Sequence, residues 1–195
     1  MTPDTLLDIA TSLPANATLL AKLPELGLPQ AHLTAGCLFQ PVWNHRSGRE
    51  PGWGIKDFDV FYFDNSDLSW EAENAVIDRA NALLGPLAPQ VEIRNQARVH
   101  LWYEQRFGRA IAPLTSARDG IDRFLIPCTS IGVEVATGEV YVPNGLDETW
   151  AGILRPNPLL DEMELFLAKA ASYRSRWPWL TLETGPSPYS ARTSS

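Results

Sequence analysis

The run Ile55-Lys56-Asp57-Phe58-Asp59-Val60-Phe61-Tyr62-Phe63 constrains this chain more than any other segment. Its branched and aromatic residues favour a strand. A strand sends alternate side chains to opposite faces, so Asp57 and Asp59 should emerge side by side. A second short apolar run, Val91-Glu92-Ile93, carries a third carboxylate. Adjacent carboxylates repel unless one takes a proton or a cation sits between them. Mg²⁺ meets that need with one or two carboxylates plus substrate phosphates. The pattern points to metal-dependent phosphoryl or nucleotidyl transfer, with Asp57, Asp59 and Glu92 as the candidate residues.

The rest of the composition narrows the class. At 195 residues the chain suits one domain with a proper core. We expect that domain to span residues 1–184, followed over 185–195 by a disordered tail with little to bury. A formal net charge of -7 and a sequence pI near 4.9 argue against bulk nucleic-acid binding, which needs a broad basic surface. Cys37 and Cys128 have neither metal-ligand spacing nor the density of a secreted disulfide scaffold. Met1 to Asp4 shows no basic start followed by an apolar core, so no secretory leader is expected, and no apolar run approaches the ~20 residues needed to cross a bilayer. The expectation is a cytoplasmic protein with no membrane partner.

Helices and strands alternate along the chain. Residues 3–12 and 16–24 read as helices with Leu6, Leu7, Ile9, Leu19, Leu20 and Leu23 on one stripe and Pro14 breaking it. Residues 31–36 read as a short strand or a helix end. Residues 46–54, with three glycines and a proline, form a loop into the acidic strand. Ser69 caps a helix that carries Ala75, Val76, Ala80 and Leu83 and ends at Gly85-Pro86. Further elements are a strand at 91–93, a helix at 97–107, a hairpin of 131–135 with 139–142, and a final helix at 159–173 with Leu160, Met163, Leu167 and Ala171 on one side.

Five segments carry a family resemblance: Ala35-Gly36, Val42-Trp43, Asp57-x-Asp59-Val60-x-Tyr62-Phe63-Asp64, Asn95-Gln96-Ala97-Arg98-Val99-His100, and Pro143-Asn144-Gly145-Leu146-Asp147. Together they resemble a bacterial nucleotidyltransferase-like family of the polymerase-beta-type nucleotidyltransferase superfamily, over about residues 20–182. The resemblance implies an α/β (α+β) fold in which a small mixed β-sheet is flanked by helices and a glycine turn opens a helix beside the acidic strand. It implies that Asp57 and Asp59 bind Mg²⁺ (or Mn²⁺) and that Glu92 helps hold the metal or acts as base. It also implies that Gly36 and Cys37 cradle a nucleoside triphosphate, with Asn95 and Arg98 contributing to nucleotide binding. The implied reaction transfers a nucleoside monophosphate to a hydroxyl of a small-molecule or protein acceptor.

The chain departs from that pattern at three places. Cys37 stands where serine is usual, Phe39-Gln40 where Arg-Asn is usual, and Asn44 where aspartate is usual. A nucleotide- or metal-binding protein without turnover is therefore the second reading. Other residues have plain structural alternatives. Glu92 can be an edge-strand charge, and Asp64 can cap the turn at Asn65-Ser66. Arg94 and Arg98 can reach phosphates or pair with Glu92 or Glu104. His100 reads as a buried histidine bonded to a carbonyl, and Trp53 as core material or a nucleobase platform. Lys56 points away from the acidic pair by strand alternation.

Overall fold

The computed structural model describes residues 1–184, so the tail expected over 185–195 lies outside the described residues. Two helices open the chain, α1 (Pro3–Thr11) and α2 (Pro14–Lys22). Each has a proline in its first turn, where the N–H has no intrahelical partner and its loss is harmless. Pro14 thus begins α2 rather than only breaking the preceding helix. Leu6, Leu19 and Leu23 are buried as the apolar stripe requires.

Residues 32–34 resolve the ambiguity of the next segment as a strand, β1 (His32–Thr34), followed directly by helix α3 (Gly36–Arg46) and strand β2 (Phe58–Tyr62). Helix α4 (Trp70–Leu84), capped by Ser69 accepting from the Ala72 N–H, leads through a 3₁₀ turn to β3 (Val91–Asn95). Then come α5 (Val99–Phe107), α6 (Ala117–Asp122), the hairpin β4 (Gly132–Glu134) and β5 (Val140–Tyr141), and α7 (Asp147–Ala151). Strand β6 (Ile153–Leu154), helix α8 (Met163–Arg176) and strand β7 (Thr181–Leu182) finish the described chain. The main sheet runs β3-β2-β1-β4-β5, with β2 and β3 parallel and the other pairs antiparallel. Strands β6 and β7 pair separately and in parallel. Among the described residues, no helix is long and apolar enough to cross a membrane.

Two elements differ from their sequence expectation. The acidic strand begins at Phe58 rather than Ile55, because β3 first pairs at Phe58↔Val91 and β1 pairs no earlier than Thr34↔Asp59. Asp57 and Lys56 therefore precede the ladder, and strand alternation does not govern them. The last helix turns a different face inward: Phe166, Ala170, Tyr173 and Trp177 are buried, whereas Met163, Leu167 and Ala171 are exposed.

That choice of face follows from an aromatic cluster on α3. Trp43 packs against Phe39, Tyr173 and Trp177 with ring centroids 4.7, 5.3 and 5.3 Å apart, in the tilted or edge-on geometry aromatic rings prefer. Asn44, fully buried, donates to the carbonyls of Pro51 and Trp53 and accepts from Trp177 Nε1. An aspartate there could not donate to both carbonyls while ionised. The amide thus ties α3, the glycine-rich loop and the end of α8 together. Pro41 sits inside α3 and has no N–H for the Cys37 carbonyl one turn earlier. Asn16 of α2 supplies the missing donor, at 2.6 Å.

On the other flank of the sheet, Asn95 accepts from the N–H groups of Asp64 and Ala97 and donates to the Asp64 carbonyl. Arg98 pairs with buried Glu73 of α4 and donates to the Leu68 carbonyl, and Glu73 also accepts from the Asn95 N–H. Removing one partner of a buried ion pair strands the other charge. Arg98→Ala should lower unfolding stability by about 3–5 kcal/mol in urea denaturation, whereas an Arg98→Met, Glu73→Leu double variant should recover much of the loss.

Candidate active site

The ladder register brings the acids together. Asp59 on β2 lies directly opposite Glu92 on parallel β3, so both side chains stand on one face of the sheet. On its other side Asp59 is opposite Thr34, the last residue of β1, from which the chain turns at once into α3. That turn is tight: Ala35 adopts φ 64°, rare for a residue with a Cβ. A Cβ on Gly36 would meet Gln40 Nε2 at 2.5 Å, so the glycine leaves room for the folded-back amide. No side chain caps the first turn of α3. The opening of the helix therefore presents a positive dipole end beside the carboxylates.

A cavity of about 490 Å³ opens at this point. Asp57, Asp59 and Glu92 line it together with Gly36, Lys56 and Gln40. Helix α8 closes the opposite wall with Lys169, Ser172, Tyr173, Ser175 and Arg176. Arg176 donates to Gln40 Oε1 and to the Gly54 carbonyl, each at 3.2 Å, and lies over the Trp177 ring. A guanidinium from the end of the chain is thus held against Gln40.

Burial, then the neighbouring charges of Asp57 and Glu92, pushes the Asp59 carboxyl up to about 6. The carboxylate neighbours add to the cost of burying this group, and a divalent ion between Asp57 and Asp59 would relieve that part. The three carboxylates share one cavity but do not close into a three-ligand group. Among the described residues, no cluster of three His, Cys, Asp or Glu side chains is arranged to hold a metal. Glu92 instead points its carboxylate toward Arg94 at 3.4 Å. Two carboxylates with open positions for phosphate oxygens suit the way Mg²⁺ is commonly bound, so the donor set fits such an ion at Asp57 and Asp59.

The other sequence candidates lie elsewhere. Cys37 is fully buried, its thiol donating to the Thr34 carbonyl, and burial followed by the Asp59 charge pushes that thiol far above its ordinary range. Asn95 and Arg98 do not line the cavity, because their polar groups are committed to the loop after β2 and to Glu73. Asp64 caps its own turn, accepting from the Ser66 N–H and hydroxyl. His100 Nδ1 is buried without a hydrogen-bond partner, not bonded to a carbonyl. Trp53 packs on Trp177 beneath the Arg49 guanidinium. Lys56 does face the cavity. Lys169 and Arg176 escaped the sequence reading, although Lys169, Ser172, Tyr173 and Arg176 recur at the spacing of one helical face.

Comparison with known proteins decides the family. A model of the nucleotidyltransferase family matches residues 21–182, most of the chain. The chain belongs to this nucleotidyltransferase family. No curated protein matches its sequence. A solved structure described as a CCA-adding enzyme head domain is similar to this nucleotidyltransferase, with a TM-score of 0.73 and 25% identity, covering 92% of this chain and 95% of that one. The likeness to that structure agrees with the mixed sheet and flanking helices.

The raised Asp59 carboxyl has a definite pH consequence. The folded protein holds that proton more tightly than the unfolded chain, so the group favours folding at low pH and this contribution is lost as pH rises through about 6. Asp59→Asn should flatten this dependence and raise stability of the metal-free protein at neutral pH by about 1–2 kcal/mol, discounted for partial exposure. Urea midpoints above and below pH 6 test the point; a wild-type protein that gains stability on crossing that pH upward would contradict it.

Proposed function

We propose that this protein transfers a nucleoside monophosphate from a nucleoside triphosphate to a hydroxyl acceptor, with Mg²⁺ or Mn²⁺ held by Asp57 and Asp59. The observation carrying this reading is the shared cavity in which the Asp59–Glu92 rung faces both the opening of α3 and the cationic wall of α8. In that reading the opening of α3 at Gly36 and the cations of Lys169 and Arg176 hold the triphosphate. Their fixed placement lowers the barrier by positioning and by charge stabilisation as negative charge shifts to the leaving group. A bound divalent ion would supply further charge neutralisation at the phosphates. The acceptor oxygen forms a bond to the α-phosphorus while the bond to the bridging oxygen breaks and pyrophosphate departs. Glu92, at the exposed rim, receives the acceptor proton on its carboxylate.

The acceptor class stays open at this level. The CCA-adding description of the structural neighbour favours a nucleic acid, whereas the net charge of -7 favours a small molecule or a protein. The Cys37 thiol faces Thr34 and offers the turn no hydroxyl donor, which keeps binding without turnover as the second reading.

Purified protein with Mg²⁺, triphosphates and varied acceptors should release pyrophosphate, and Asp57→Asn or Asp59→Asn should reduce the rate by at least ~10³-fold, as expected when transition-state charge stabilisation is lost. Arg176→Ala should raise KM for the triphosphate about tenfold. A wild-type protein whose calorimetric nucleotide binding is clear but which never releases pyrophosphate would leave the second reading standing.

A further inference from the structure

The face of the sheet that carries Asp59 and Glu92 does not end at them. Two residues further along, Phe61 on β2 lies opposite Arg94 on β3. The acidic rung is thus followed, about 6.6 Å along the strands, by a rung of an aromatic ring and a guanidinium. Phe61 meets Phe124 edge-on at 5.8 Å. Beside it an intermediate cavity of about 300 Å³ shares Asp59 and Lys169 with the catalytic cavity, and Phe61 and Phe124 with a groove of about 460 Å³. Glu92 borders both the catalytic cavity and the groove.

The groove is built unlike the rest of this acidic surface. Trp102, Tyr103 and Phe107 of α5 line it in mutual ring contact, with centroids 4.6 to 6.4 Å apart. Of the nine residues of α5 only Val99 is buried, so Trp102 and Phe107 remain 37% and 44% exposed. Four arginines, 94, 106, 109 and 123, line the same groove against a single acid, Glu92. Arg94, Arg109 and Arg123 are paired with Glu92, Glu162 and Asp119. Arg106 has no carboxylate partner among the described residues and rests near the Phe107 ring.

We propose that this groove binds the end of a single-stranded RNA and delivers its terminal hydroxyl to Asp59 and Glu92, an inference that rests on the transfer reaction proposed above. Exposed aromatic faces stack bases without regard to sequence, and interleaved guanidinium groups follow the phosphates. Among the described residues Arg106 is the uncompensated cation of this groove, and a strand end needs a short basic groove, not a basic protein. Glu92 lines both the groove and the catalytic cavity, which sets the acidic rung at the end of the groove where the terminal hydroxyl would lie.

Fluorescence anisotropy with a 5′-labelled RNA of about ten nucleotides tests this without requiring turnover. Wild-type protein with Mg²⁺ should bind it, more weakly as salt is raised. Trp102→Ala and Arg106→Glu, both at exposed positions, should each weaken binding about tenfold, near the lower range for one lost base stack. Both variants should keep the thermal shift that nucleoside triphosphate gives the wild type, and Asp57→Asn should keep RNA binding. No binding by the wild type, or equal binding by Arg106→Glu, overturns the proposal, and a peptide or small-molecule acceptor would then take its place. RNA binding through the groove with no pyrophosphate release under any condition would instead sink the transfer reaction and leave the groove standing.

Discussion

The edge-on packing of Trp43 against Trp177, closed by the hydrogen bond from the Trp177 indole to Asn44, fixes α8 against α3. The walls of the cavity come from these two helices, from β2 and β3, and from the loop that precedes β2. Helix α3 sets Gly36 beside the acids, and α8 sets Lys169 and Arg176 across from them. Tyr173 links both jobs, since its ring packs on Phe39 and Trp43 while it also borders the cavity. Loss of a large buried aromatic from such a cluster costs about 3–5 kcal/mol. Here it would also move the cationic wall away from the acidic one.

The second organising feature is electrostatic. A chain with net charge -7 places three of its carboxylates around one opening, where burial and then the charges of Asp57 and Glu92 raise the Asp59 carboxyl. The opening of α3, Lys56, Lys169 and Arg176 set positive groups around that negative centre. In the proposed reading, an anion arriving with a divalent cation would meet complementary charge on every side.

Much of this was legible in the sequence because the acidic strand obeys a two-residue period and Ser69 and Gly36 are strong local signals. Asp59 and Glu92 could be grouped from type and setting alone, although their exact register could not. The wall supplied by α8 was hidden for a physical reason. Met163, Leu167 and Ala171 form a tidy apolar stripe, yet tertiary packing buried the aromatic face of Phe166, Tyr173 and Trp177, and that rotation turned Lys169 and Arg176 toward the acids. Lys56 was misassigned because strand alternation was extended beyond the last ladder pair. Asn95 and Arg98 look like ligands in sequence, but the backbone of Asp64 claims the Asn95 amide and the buried Glu73 claims the Arg98 guanidinium.

The bond from Asn16 to the Cys37 carbonyl reaches across a boundary that family comparison draws at residue 21. Trimming the chain to that boundary would remove this donor and leave the carbonyl opposite a proline ring that cannot replace it. The opening turn of α3 is therefore anchored by a segment that lies outside the family match. Judged by folding rather than by likeness, the first two helices are part of the core.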